Sequence, residues 1–195
     1  MERIAATFLA TLSANPGQEI GQRSEHIILR LHRETSEHLR VRDGVVEPVR
    51  GADDFGATVT VMHANGRGWA GTSDISQSGL DAALKRARSW AKASAEHPLI
   101  SHLVAPNVAP PTATGTWRQR ATEPWADTPL AEKIRILREA DALLSGAHLN
   151  HSSPGSSDQI VDREAALWHT DVETLLVSTA GAHIQQRYEL LVPDL

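Results

Sequence analysis

The sequence predicts an α+β domain, a largely antiparallel sheet built from hairpins with helices packed on one face. Three observations point to it. Asp43-Gly44 and Asn65-Gly66 each lie between runs that alternate apolar and polar residues, and such dipeptides accept the positive φ that a tight hairpin turn needs. Two segments, 76–94 and 128–146, carry apolar residues at helical spacing behind capping residues. The end of the chain returns to strand-like runs. Amphipathic helices beside antiparallel hairpins bury their apolar stripe on the sheet, and 195 residues suffice for one medium domain, 1–195, with its own core.

Taken in order, Ile4, Phe8, Leu9 and Leu12 fit one face of a first helix, which Pro16-Gly17 ends. Residues 24–33 read as a strand, and the charged stretch 33–37, RETSE, as a turn. Leu39 and Val41 then alternate with charged residues up to a type I′ turn at Asp43-Gly44, with Val46 and Val49 beyond it. Ala57, Val59 and Val61 share one face of the next strand. Asn65-Gly66 makes a second hairpin, whose return strand runs through Trp69, read here as a core residue. Ser76 caps a helix to about Ser94 with Leu80, Ala83, Leu84, Ala87, Trp90 and Ala91 as its buried stripe. Asp81 in its first turn and Lys85, Arg86, Arg88 and Lys92 later complement the macrodipole.

From His97 to Trp125 five prolines are scattered among small polar residues, which predicts a long connecting loop, a candidate cover for a bound segment. Thr128 as cap, Pro129 at the first helical position and Gly146 past the end bound another helix. Leu130, Ile134, Leu137, Asp141 and Leu144 trace its face, Asp141 being the misfit. A loop at 150–158 leads to three strands, about 159–169, 173–178 and 183–192.

Composition and motifs exclude more than they assign. With 24 acidic against 19 basic residues the net charge is -5, which offers no general field for nucleic acid. No run of about 18 apolar residues exists to span a membrane, and with no cysteine there is no disulfide framework or thiolate metal site, as suits a cytoplasmic protein. The glycines at 66, 68 and 71 are followed by TSDISQS, and Lys85 comes two turns into the helix. That is too late for a phosphate-binding Walker loop, and the glycines precede the strand-to-helix turn that a dinucleotide fingerprint requires.

His26, His32 and His38 recur at six-residue spacing, but the turn expected at 33–37 separates the last from the others. His148 and His151 flank a loop without an acidic partner, no His-Glu dipeptide occurs, and no G-x-S-x-G elbow is present. Asp53-Asp54 points to opposite faces of a strand, and Trp117 with Arg118 and Arg120 reads as a surface cluster. No catalytic, cofactor-binding or metal-ligating residue is assigned.

The order of segments says more. Asp43-Gly44, Gly56, Gly68-Trp69-Ala70-Gly71-Thr72, Asp74-Ile75-Ser76 and Ala91-Lys92-Ala93-Ser94 resemble, in order and spacing, the N-terminal domain of the TldD/PmbA family of zinc-dependent proteases, also labelled modulators of DNA gyrase. PLAEKIRILREAD (129–141) looks like that family's second helix, and ETLLVSTAGAHIQQRYELLV (173–192) like its hairpin. The resemblance implies a peptidase subunit of two domains, whose C-terminal domain holds zinc on an H-E-x-x-x-H helix. Such subunits work as homo- or heterodimers that cut unfolded peptides, and the N-terminal domain helps to enclose them. This sequence stops where the zinc domain would begin, so zinc is expected in that absent domain and no catalytic residue carries over. The chain is expected to serve dimer contact and peptide enclosure without catalysis; the alternative is a freestanding peptide- or partner-binding protein.

Overall fold

A computed structural model describes residues 1–14, 25–63, 66–96, 111–119, 121–146 and 162–195. The α+β class is borne out: these residues form three α-helices and a seven-stranded, mostly antiparallel sheet. In chain order the elements are α1 (Glu2–Ala14), β1 (His26–Arg42), β2 (Val45–Val46), β3 (Arg50–His63), β4 (Gly66–Thr72), α2 (Gln77–Glu96), β5 (Thr114–Arg118), a 3-10 turn (Trp125–Asp127), α3 (Leu130–Gly146), β6 (Glu164–Ser178) and β7 (His183–Asp194). Strands pair in the order β4-β3-β1-β6-β7-β5, with β2 on β1. The chain divides into two compact units, one of residues 1–33, 54–118 and 172–187, the other of 34–53, 119–171 and 188–195.

In the first unit, alternation puts Ile27, Leu29 and Leu31 of β1 on one face with Ala57, Val59 and Val61 of β3 and Leu175 and Val177 of β6. Ala5 and Phe8 of α1, and Leu80, Ala83, Leu84, Ala87 and Ala91 of α2, pack into the same cluster. Helix α2 starts as its sequence predicts, with the Gly79 N–H donating to Ser76 Oγ at 3.2 Å.

Gly66 and Gly68 do not make the turn. The register pairs Gly66 with His63, so Gly66 already belongs to β4, and both glycines lie in that strand facing α2; residues 64 and 65 are outside the described residues. A Cβ on Gly66 would fall 2.0 Å from the Ala91 carbonyl oxygen, and one on Gly68 2.1 Å from that of Ala87. The helix backbone therefore rests directly on the strand, which only glycine permits.

This contact overturns two core expectations. With Gly66, Gly68 and Ala70 turned inward, the intervening Trp69 must point outward, and it is 68% exposed. Trp90 has its Cβ beside Gly68, but so close a contact leaves no room for an indole, and it is 64% exposed.

In the second unit Leu39, Val41, Leu137 and Ala165 form the buried cluster, with Val46, Trp125, Ala140 and Leu167 against it. The Asp43-Gly44 turn is as expected: φ is 48° and 79° at the two residues, and Arg42 faces Val45 across it.

Three further corrections concern continuity. Residues 33–37 are not a turn but the middle of β1, since nothing in RETSE bends a chain and its polar side chains suit positions that neither core covers. The strands expected at 159–169 and 173–178 are one strand, β6, because no glycine or proline interrupts 164–178; residues 159–161 lie outside the described set. The expected structureless stretch 97–125 contains β5, whose Thr-Gly-Thr-Trp-Arg run pairs in parallel with β7 from Thr114↔His183 to Arg118↔Arg187, and the 3-10 turn follows it. Residues 97–110 are outside the described set, as are Pro16-Gly17. Thr128 closes the 3-10 turn through its N–H to the Trp125 oxygen (3.3 Å) rather than capping α3, and the Pro129 oxygen accepts the first helical N–H groups.

Candidate functional site

A largely buried polar constellation lies in the second unit. Pro124, extended at φ -62° and ψ 138°, delivers Trp125 into the 3-10 turn. The indole Nε1–H of Trp125 donates to Glu37 Oε2 of β1 at 2.7 Å. Lys133 sits on α3 four residues before the buried Leu137, hence on the same helix face, and its side chain is only 7% exposed. Its Nζ lies 3.6 Å above the Trp125 ring and 3.6 Å from Glu37 Oε2. A buried ammonium is costly unless paired, and the carboxylate and the aromatic face together meet that need.

His169 of β6 lies parallel to Trp125 with ring centroids 4.9 Å apart and an interplanar angle of 8°. Its Nε2 is 3.3 Å from Glu189 Oε2 of β7, and the Glu189 backbone N–H donates to Gln119 Oε1 at 3.1 Å. Beside these groups opens a cavity of about 440 Å³, with Ile136, Leu167 and Leu191 as apolar walls and Glu123, Glu189, Lys133 and His169 as polar ones. It can hold a small ligand or one long side chain.

At the other end of the same helix, Asp141 is 4% exposed. Its Oδ1 lies 3.0 Å from Arg163 Nε, but neither atom makes an aligned hydrogen bond, so the contact is an ion pair alone. Arg163 also approaches Asp43 Oδ1 at 3.4 Å and accepts the Asp43 N–H through its own carbonyl. The misfit of the sequence therefore has a counter-charge beside the Asp43-Gly44 turn.

Sequence reasoning missed this site. Trp125 and Lys133 are separated from Glu37 and His169 by tens of residues, and the local signals were a proline before a tryptophan and a lysine aligned with a buried leucine. The residues that the sequence did raise do not converge. His26 and His32 share a face of β1, but six residues of strand separate them by about 20 Å. His38 packs instead on Trp168, with ring centroids 5.2 Å apart.

Asp53 accepts from the Thr35 hydroxyl at 3.5 Å. Asp54 and His32 line a second, more open depression of about 430 Å³ in the first unit. Trp117 and Arg118 are exposed on β5. Arg120, His148 and His151 lie outside the described residues. Among the described residues no three His, Asp or Glu side chains are grouped to hold a metal ion. No helix among them is long and apolar enough to cross a membrane.

Residues 29–91 match the family model of PmbA/TldA metallopeptidase domain 1, so the resemblance to TldD/PmbA N-terminal domains is established for that segment. Similar solved structures include a candidate modulator of DNA gyrase from Thermotoga maritima (12% identity, TM-score 0.63, covering 96% of this chain and 37% of that one). Another, from Bacteroides thetaiotaomicron, carries the same description (11%, TM-score 0.62, 97% and 39%). TldE from Thermococcus kodakarensis is also similar (12%, TM-score 0.50, 84% and 34%). At these identities the likeness is one of fold. The chain spans less than two fifths of the length of each, and no curated protein sequence matches it.

Proposed function

We propose that this chain serves as the non-catalytic N-terminal domain of a TldD/PmbA-type zinc metallopeptidase subunit, contributing to dimer contact and to the enclosure of unfolded peptide. The observation that carries the reading is the match of residues 29–91 to domain 1 of that family, set in a chain whose fold follows the relatives along nearly its whole length. Strand β5 supports the peptide part. It ends the strand order, pairs with β7 on one side, and has all five residues exposed. An edge of that kind receives an extended peptide through main-chain hydrogen bonds. In this reading zinc belongs to a domain outside this chain, and this chain's part is to bind and orient. The absence of cysteine suits the cytoplasm as its compartment.

The freestanding partner-binding alternative draws on Leu190, Leu191 and Val192, each more than half exposed on β7, since apolar residues exposed on both faces of a strand suit a covering partner.

The test pairs the purified chain with a zinc-bearing TldD/PmbA-type subunit. Light scattering should report a complex, and unfolded casein should be cut by the complex but not by this chain alone. Chelator-sensitive cleavage by the chain alone would overturn the reading. A protein of the source cells detected by antibody at 21.2 kDa, rather than at a much larger mass, would favour the freestanding alternative.

A further inference from the structure

The second unit's cavity has walls of two kinds and a definite sign of charge. Ile136, Leu167 and Leu191 give it an apolar lining, and Glu123 and Glu189 contribute carboxylates. Lys133 also lines it, but Glu37 at 3.6 Å already opposes that charge, and His169 adds a positive charge only when protonated. With Glu37 counted against Lys133, Glu123 and Glu189 leave an excess of negative charge whether or not His169 carries a proton, and Glu189, its side chain 31% exposed, can accept a further donor. A volume of about 440 Å³ falls toward the small end of ligand pockets, which run from about 300 to 1,000 Å³. It suits one long side chain rather than a cofactor.

We propose that this cavity is a subsite for a basic side chain, lysine or arginine, of an unfolded peptide. The hydrocarbon stem lies against Leu167, Ile136 and Leu191, and the cationic head meets Glu189 and Glu123. Long basic side chains divide in this way between apolar surface and a polar end, and a carboxylate–guanidinium or carboxylate–ammonium contact is charge-assisted. An acidic side chain is disfavoured by the same two carboxylates, and an apolar one leaves them without a cation. The inference rests on the peptide reading above for the source of the side chain.

The experiment uses the whole chain and follows the Trp125 indole N–H by nitrogen-15 NMR. The probes are Nα-acetyl-arginine amide and Nα-acetyl-lysine amide, against the norleucine and glutamate counterparts. Saturable shifts of that signal are expected with the basic amides and none with the other two. Glu189→Gln, with signal dispersion retained, should weaken binding about fivefold. Glu123→Gln, at an exposed position, gives the same reading should Glu189→Gln unfold. Equal shifts from norleucine amide, no saturable shift from the basic amides, or unchanged affinity in both variants would overturn the subsite. An unfolded peptide free of lysine and arginine separates the two proposals. If it binds while the basic amides do not, the subsite fails and the peptide reading stands; if the basic amides bind and unfolded peptides do not, the reverse holds.

Discussion

Helix α2 turns Gly79, Leu80, Ala83, Leu84, Ala87 and Ala91 inward, whereas the most buried residues of helix α3 are Lys133, Leu137 and Asp141. The first contact is apolar and so close that the facing strand has glycine at two of its inward positions. The second has one leucine between two charges, each met by a partner from another element: Glu37 and Trp125 for the lysine, Arg163 for the aspartate. The α2 contact is limited by volume, since packed interiors do not absorb an added methyl where backbone already touches. The α3 contact is limited by pairing, since a buried charge without its partner costs more than the pair contributes.

The largest expected effect is therefore Gly68→Ala. The new methyl would meet the Ala87 oxygen and the Ala91 nitrogen at 2.1 and 2.3 Å, and a loss of about 3 kcal/mol or more in urea denaturation is expected. Gly115→Ala, with nothing within 4 Å of its Cβ, should leave the midpoint nearly unchanged. Equal midpoints for the two would break the contrast.

Next in size is Arg163→Met, which leaves Asp141 buried without its cation and should cost about 2 to 3 kcal/mol. The double variant Asp141→Leu/Arg163→Met should recover most of that loss. No recovery would mean that the pair acts through something other than charge.

Lys133→Met is smaller, about 1 kcal/mol by thermal denaturation, because the Trp125–Glu37 hydrogen bond remains. Trp69→Ala should cost under about 1 kcal/mol; a loss near that of a buried tryptophan, about 3 to 5 kcal/mol, would contradict its outward placement.

The smallest effect is in acid. Hydrogen bonds from the Ser76 side chain and backbone N–H hold the Asp74 carboxyl below the ordinary range of an aspartate. A carboxylate depressed in the folded state contributes stability that is present above its unfolded pKa and is lost as pH falls through the folded one. Stability ahead of α2 should thus decline only below about pH 4, and Asp74→Asn should flatten that decline.

The same contrast explains how far the sequence could be read. Periodicity found α2, its Ser76 cap and most of its stripe, because that face follows the apolar code. It fails at Trp69 and Trp90, because periodicity buries a large apolar residue there whereas the close glycine contact leaves no room for it. On α3 it finds the helix and Leu137 but leaves Asp141 a misfit on the face and gives no sign of Lys133, because the partners that make those charges tolerable come from distant parts of the chain. The pocket beside Trp125 depends on the same long-range meetings, so no local motif announces it. Strand β5 was hidden among prolines, and its partner β7 lies far along the chain.

That last pairing bears on the order in which the molecule is assembled. Thr114 meets His183 about 70 positions downstream, so a large loop must close before the first hydrogen bond of this ladder repays the lost chain entropy. The β3–β4 hairpin closes over two residues and forms on a far shorter timescale. Strand β5 is then expected to be the last to dock during refolding and among the first to exchange its amide hydrogens.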